Sequence, residues 1–169
     1  GTASAAGAAR RRGAAAGGKE VCSLCAVVRG DGGGLTLVGS LPHSQVFLNE
    51  QQGSRGWCML VLRQHVEHLD ELPAERQRGL FGEVARVARA IRTVFPASGA
   101  GGGPPRINYE CLGNVTAHVH WHVIPRHADD PTPRAAVWWW TAEQMKGSMD
   151  AGERRALAEK LRAALLNTD

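Results

Sequence analysis

The chain predicts an α+β fold built on an antiparallel sheet. Three observations carry that reading. Strand-like runs come first, then one long amphipathic helix, two more strand-like runs and a terminal helix, with no regular strand–helix alternation. Neither a GxGxxG fingerprint nor a phosphate-binding P-loop interrupts that order. At 169 residues the chain holds one domain, large enough to bury a core without disulfides.

Each element has its own signal. Residues 35–38 and 45–49 read as short strands, with Gly-rich 30–34 and the Leu41-Pro42-His43 turn beside them. Gly53 to Gly56 mark another turn, and residues 57–63 form a continuous apolar run, as expected of a covered strand. Pro73 opens a helix of about five turns, on which Leu80, Val84, Val87 and Ile91 share a face with Phe81, Ala88 and Phe95 nearby. After a Gly/Pro loop at 97–105, residues 106–112 and 117–125 read as strands around a Gly113-Asn114 turn. Arg126 opens a polar loop that runs to Pro133. Asp150 with Glu153 makes a capping box for a last helix with Leu157, Leu161 and Leu165 on one face. The two helices and five strands give the architecture.

The formal charge of +4 invites a nucleic-acid reading until its location is checked. Arg10, Arg11, Arg12 and Lys19 are the only charges in residues 1–19, so the remainder carries 16 basic and 16 acidic side chains. Nucleic acid is therefore not an expected partner of the folded part. Residues 1–19 are dominated by Ala and Gly and read as a flexible tail, an organelle-targeting remnant or a docking arm. Residues 20–130 form the expected domain, and 131–169 a C-terminal extension holding Trp138, Trp139 and Trp140. Three adjacent Trp cannot share one side of a strand: the first reading is core or dimer packing for two of them, and the other is that one lids a ligand. The chain has no apolar run long enough for a membrane span, so the expected location is cytoplasmic, or an organelle matrix if the tail is a targeting remnant.

The chemistry concentrates in His118-Val119-His120-Trp121-His122. Side chains alternate faces along a strand, so three imidazoles line one face and Val119, Trp121 and Val123 the other. Upstream, Cys22 and Cys25 form a CxxC pair, which alone is compatible with redox chemistry, zinc or neither. Two thiolates at that spacing suit two corners of a tetrahedral zinc site. His65, just past the 57–63 strand, and His118, at the start of the last one, are the best remaining ligands, with His68 as a competitor. Such a Cys2His2 set makes the zinc structural and leaves His120 and His122 for chemistry. Cys58 and Cys111 read as buried strand residues, His43 and His127 as surface residues, and Arg126 as phosphate-adjacent or solvated.

The stretch HVHWHVI resembles the histidine-triad motif, His-φ-His-φ-His-φ-φ with φ apolar. CSLC, VFLNEQQGSRGWCMLVLRQHVEHL and NYECLGNVTAHVHWHVIPR are similar to bacterial histidine-triad hydrolases of the diadenosine-polyphosphate-hydrolase-like, zinc-containing branch. A CxxC…His…His zinc set also occurs in the related galactose-1-phosphate uridylyltransferases. The resemblance implies a homodimer with one sheet continued across both copies, and no organic cofactor. It implies that His120 attacks the α-phosphorus of a nucleotide to give a covalent nucleotidyl-histidine, and that His122 donates to a phosphate oxygen or leaving group. It places Asn49 at the ribose, where an acid would carry charge, and Asn108, Asn114 and Thr116 near the phosphates. The implied substrates are adenine nucleotide conjugates: dinucleoside polyphosphates or nucleoside phosphoramidates. Two other readings stay open: a metal-dependent hydrolase ligated by the triad, and a non-catalytic nucleotide-binding or scaffolding subunit.

Overall fold

The computed structural model describes residues 22–31, 33–96 and 106–167. The tail at 1–19 lies outside these. Helix α1 (Ser23–Arg29) is followed by strands β1 (Thr36–Ser40), β2 (Ser44–Leu48) and β3 (Cys58–Leu62). The long helix α2 (Ala74–Val94) leads to β4 (Arg106–Glu110) and β5 (His120–Arg126), and helices α3 (Ala142–Lys146) and α4 (Ala151–Leu166) complete the chain. The strands form one antiparallel sheet in the order β1-β2-β3-β5-β4.

The two faces of the sheet do different work. On one, Val46, Leu48, Cys58, Leu60, Trp121 and Val123 pack against Leu80, Val84, Val87 and Ile91 of α2 and Leu157, Leu161 and Leu165 of α4. The extension thus supplies part of the main core, and its helix opens on the expected Asp150–Glu153 capping box. On the other face a smaller cluster of Phe47, Met59 and Val61 is covered by Leu24 of α1. His120 and His122 lie on this second face, paired with Val61 and Met59 across β3.

Some local structure departs from the sequence reading. The CxxC pair lies at the start of a helix: Cys22 precedes α1 and Cys25 sits within it. Gly30 ends that helix at φ +87°, a left-handed conformation that costs a side chain little only when there is none. Regular pairing of β5 begins at His120, so His118 lies in the bend before the strand, although Val119 keeps the core-facing alternation. Strand β4 stops at Glu110, which leaves Cys111 exposed rather than buried, while Cys58 is buried as expected. Of the three adjacent Trp, only Trp140 is buried; Trp139 is 82% exposed and Trp138 44%.

Two buried polar groups set the frame. Glu83 on α2 accepts from the His43 backbone N–H at 2.8 Å and the Ser44 hydroxyl at 2.5 Å, fixing the start of β2 against the helix. Arg126 is neither solvated nor aimed at a phosphate site: it pairs with buried Asp130 at 2.8 Å and donates to the Ala135 and Thr132 carbonyls. Its guanidinium also lies over the Trp140 ring. This pairing lets a charge be buried at the point where the extension leaves the sheet.

Candidate active site and metal centre

The bend before β5 turns His118 away from the two histidines that follow it. Its Nδ1 lies 3.4 Å from Cys22 Sγ, 3.5 Å from Cys25 Sγ and 3.4 Å from His65 Nδ1, and Cys25 Sγ lies 3.3 Å from His65 Nδ1. The four donor atoms all fall within 4.8 Å of one another. Tetrahedral zinc with bonds of ~2.3 Å to sulfur and ~2.0–2.1 Å to nitrogen requires S···N edges of about 3.5 Å and N···N edges of about 3.4 Å. The three S···N edges and the N···N edge given above match those lengths.

The surroundings of His118 agree with a ligand role. Its Nε2 donates to the Leu62 carbonyl at 2.8 Å, and a carbonyl only accepts, so the proton sits on Nε2 and Nδ1 keeps its lone pair. Burial pushes its pKa below the ordinary value, which favours the neutral, ligating form. His68 is outside the cluster; its backbone N–H takes part in the cap of a short 3-10 turn at Leu69–Glu71.

His120 and His122 instead face a cavity of about 480 Å³. Asn49, Asn114, Thr116, Trp57 and Trp138 also line it, as do Leu24 and Met59 at the α1 side. Asn108 lies on β4 opposite Ile124 and does not line it. No Lys or Arg lines it among the described residues.

The hydrogen bonds distinguish the two rings. His120 Nδ1 donates to the His118 carbonyl at 2.6 Å, which leaves the Nε2 lone pair free. A neutral imidazole held in this way is a competent nucleophile. At His122 the arrangement is reversed. The Trp57 indole N–H donates to Nδ1 at 3.1 Å. The ring centroids of Trp57, Trp138 and His120 lie 5.6, 5.4 and 5.2 Å from that of His122, all in edge contact. Burial, and to a lesser extent the neighbouring His120, pull the His122 pKa down to about 4. It is therefore neutral at pH 7.

The HIT domain family model matches residues 35–129. The chain belongs to the histidine-triad, or HIT, family. This HIT protein is 29% identical over 127 residues to "Protein hit" of Bacillus subtilis, covering 75% of the present chain and 85% of that one. Its fold is similar to a crystal structure of a histidine triad protein from Bradyrhizobium japonicum, at TM-score 0.68 and 25% identity, covering 85% and 98% of the two chains. A Zn-bound histidine triad family protein from Mycobacterium smegmatis matches at TM-score 0.59 and 24% identity, covering 88% and 96%. The five-stranded antiparallel sheet with its helices is the HIT fold, and the Cys22/Cys25/His65/His118 cluster is compatible with zinc. Among the described residues no helix is long and apolar enough to cross a membrane.

Sequence reasoning missed Trp57 and Trp138 as partners of His122. Trp57 reads simply as the first residue of an apolar run. Trp138 belongs to the extension, and it meets His122 where the Arg126–Asp130 pair and a 3-10 turn at Val137–Trp139 return the chain to the sheet. Gly53 helps to hold that return. Its N–H donates to Met145 O at 2.8 Å, and a Cβ there would lie 1.8 Å from Gln144 O.

Proposed function

We propose that this HIT protein hydrolyses, or transfers from, adenine nucleotide conjugates at the α-phosphate through a covalent nucleotidyl-His120. The observation that carries the reading is the His120 Nδ1–His118 carbonyl bond at 2.6 Å, which leaves a bare Nε2 facing the cavity. That lone pair attacks the α-phosphorus. A P–N bond forms, and the bond to the leaving group breaks with its electron pair going to the leaving group. The imidazolium formed keeps its Nδ1 proton on the His118 carbonyl. Water then attacks the phosphorus and gives up one proton to solvent, and the P–N bond breaks with its electron pair returning to Nε2, releasing a nucleoside monophosphate and restoring neutral His120. His122 presents a donor to a phosphate oxygen, where negative charge is held in the transition state. Asn49, Asn114 and Thr116 bind the ribose and phosphates. The leaving group is a nucleoside polyphosphate, which leaves as the anion, or an amine, which takes up a proton from solvent and leaves as the neutral amine.

The triad does not support a single catalytic ion. Both nitrogens of His118 are engaged elsewhere, Nδ1 in the sulfur cluster and Nε2 with the Leu62 carbonyl, so the three rings do not converge on one ion. Zinc has a structural role: Cys22, Cys25, His65 and His118 would hold it, as the Zn-bound relative suggests. It would pin α1, whose Leu24 walls the cavity.

The active form is a homodimer. β4 is an edge strand with Tyr109 half exposed, and Phe81 of α2 is also half exposed against Trp121. The buried indole N–H of Trp121 has no acceptor among the described residues.

Two substrates, diadenosine tetraphosphate and an adenosine phosphoramidate, each labelled in the adenylate, test the reading. Mass spectrometry should place one adenylate on His120 from at least one of them. Turnover without a covalent adenylate, or no turnover, would overturn it.

A further inference from the structure

The Trp57–His122 hydrogen bond does more than fill the core. An indole N–H donates and never accepts. Trp57 is fully buried, and its backbone carbonyl accepts from Asn49 N–H at 2.9 Å and from Gln52 Nε2 at 3.0 Å. Its ring packs with Ile124, Val137 and Trp140. The donor therefore cannot turn away from His122 without repacking that cluster. A proton on His122 Nδ1 would set two N–H groups face to face at 3.1 Å. Trp138 closes another side of the imidazole, standing 5.5 Å from Trp57 in edge contact. Among the described residues Nε2 is left without a hydrogen-bond partner, on a ring that lines the cavity.

We infer that Trp57 is a positioning residue: its N–H locks His122 in the tautomer protonated at Nε2, so the cavity is met by a fixed hydrogen-bond donor and never by an acceptor. The phosphate oxygen as the acceptor rests on the function proposed above; the lock itself does not. The two flanking histidines then present opposite faces to one ligand. His120 offers a lone pair and His122 a hydrogen, and neither role depends on a proton shared between them.

Long-range 1H–15N spectra of the zinc-loaded, full-length protein at pH 7 read the tautomer directly. His122 should show a bare Nδ1 and a protonated Nε2. Trp57→Phe keeps a ring in the core and removes the donor. It should give a mixture of His122 tautomers, with kcat reduced about tenfold and KM within about twofold. A wild-type His122 protonated at Nδ1 would overturn the lock. So would a Trp57→Phe protein that keeps one Nε2–H tautomer, or one that changes KM alone. If Trp57→Phe does not fold, the wild-type spectrum still decides. Absence of nucleotidyl-His120 in the wild type defeats the reaction proposed above, whereas the tautomer is read without substrate.

Discussion

His118 and His122 are the same residue type four positions apart, yet they belong to two centres with opposite demands. The cluster around His118 is closed: four donor atoms converge, and the ring nitrogen not facing them is tied to the Leu62 carbonyl. The site around His122 is open: one nitrogen is tied to Trp57, and the other faces a cavity of about 480 Å³. In both, a single hydrogen bond to the far nitrogen decides what the near one does. A carbonyl partner exposes a lone pair, as at His118 and His120; an indole partner exposes a hydrogen, as at His122. The motif supplies imidazoles, and their partners assign the chemistry.

The largest effect should separate the two centres outright. His120→Ala should lower turnover by roughly 10³-fold or more, while zinc measured by atomic absorption stays at one per chain. Loss of zinc along with activity would mean that the centres are not independent.

The reciprocal change is Cys25→Ser. It should abolish stoichiometric zinc and destabilise the fold by about 3 kcal/mol, lowering Tm by roughly 6–12 °C in calorimetry. Activity should fall less than in His120→Ala, because only the α1 wall of the cavity is loosened. Unchanged Tm would remove zinc from the structural role.

The open site should also show itself in the pH dependence of stability. The folded pKa of His122 is about 4, below its ordinary 6.5. The unfolded chain therefore takes up a proton that the folded one refuses. Stability is complete above about pH 6.5 and declines as pH falls towards 4. Between pH 7 and 5 the loss assigned to this group is about 2 kcal/mol. Urea unfolding of wild type and His122→Gln at both pH values should differ by that amount, and equal slopes would contradict it. The smallest effect concerns the ribose end. Asn49→Asp restores a charged acceptor and should lower the KM for nucleotide by about threefold; a higher KM would argue against ribose contact there.

Much of this was legible before folding, where the signal was periodic or local. The α2 face, the Asp150–Glu153 cap and the alternation of Val119, Trp121 and Val123 follow from spacing alone. The Cys22/Cys25/His65/His118 quartet was legible because metal-ligand chemistry is restrictive, even though the helical setting of Cys25 was not. Arg126 and Cys111 were misjudged; of the Trp triplet, Trp140 is buried and Trp138 lines the cavity in keeping with the lid reading, while Trp139 is exposed. Arg126 depends on Asp130 returning from the loop and Cys111 on where β4 ends.

By itself, then, the sequence determined the layer architecture and the set of residues able to do chemistry, because both rest on side-chain type and period. Only the tertiary structure supplied the partners that fix which nitrogen of each imidazole carries the proton. Those protonation states depend on hydrogen-bond partners such as the Leu62 and His118 carbonyls and the Trp57 indole, and the contacts to Cys22, Leu62 and Trp57 span 96, 56 and 65 residues. Pairings of that range leave no trace in local pattern.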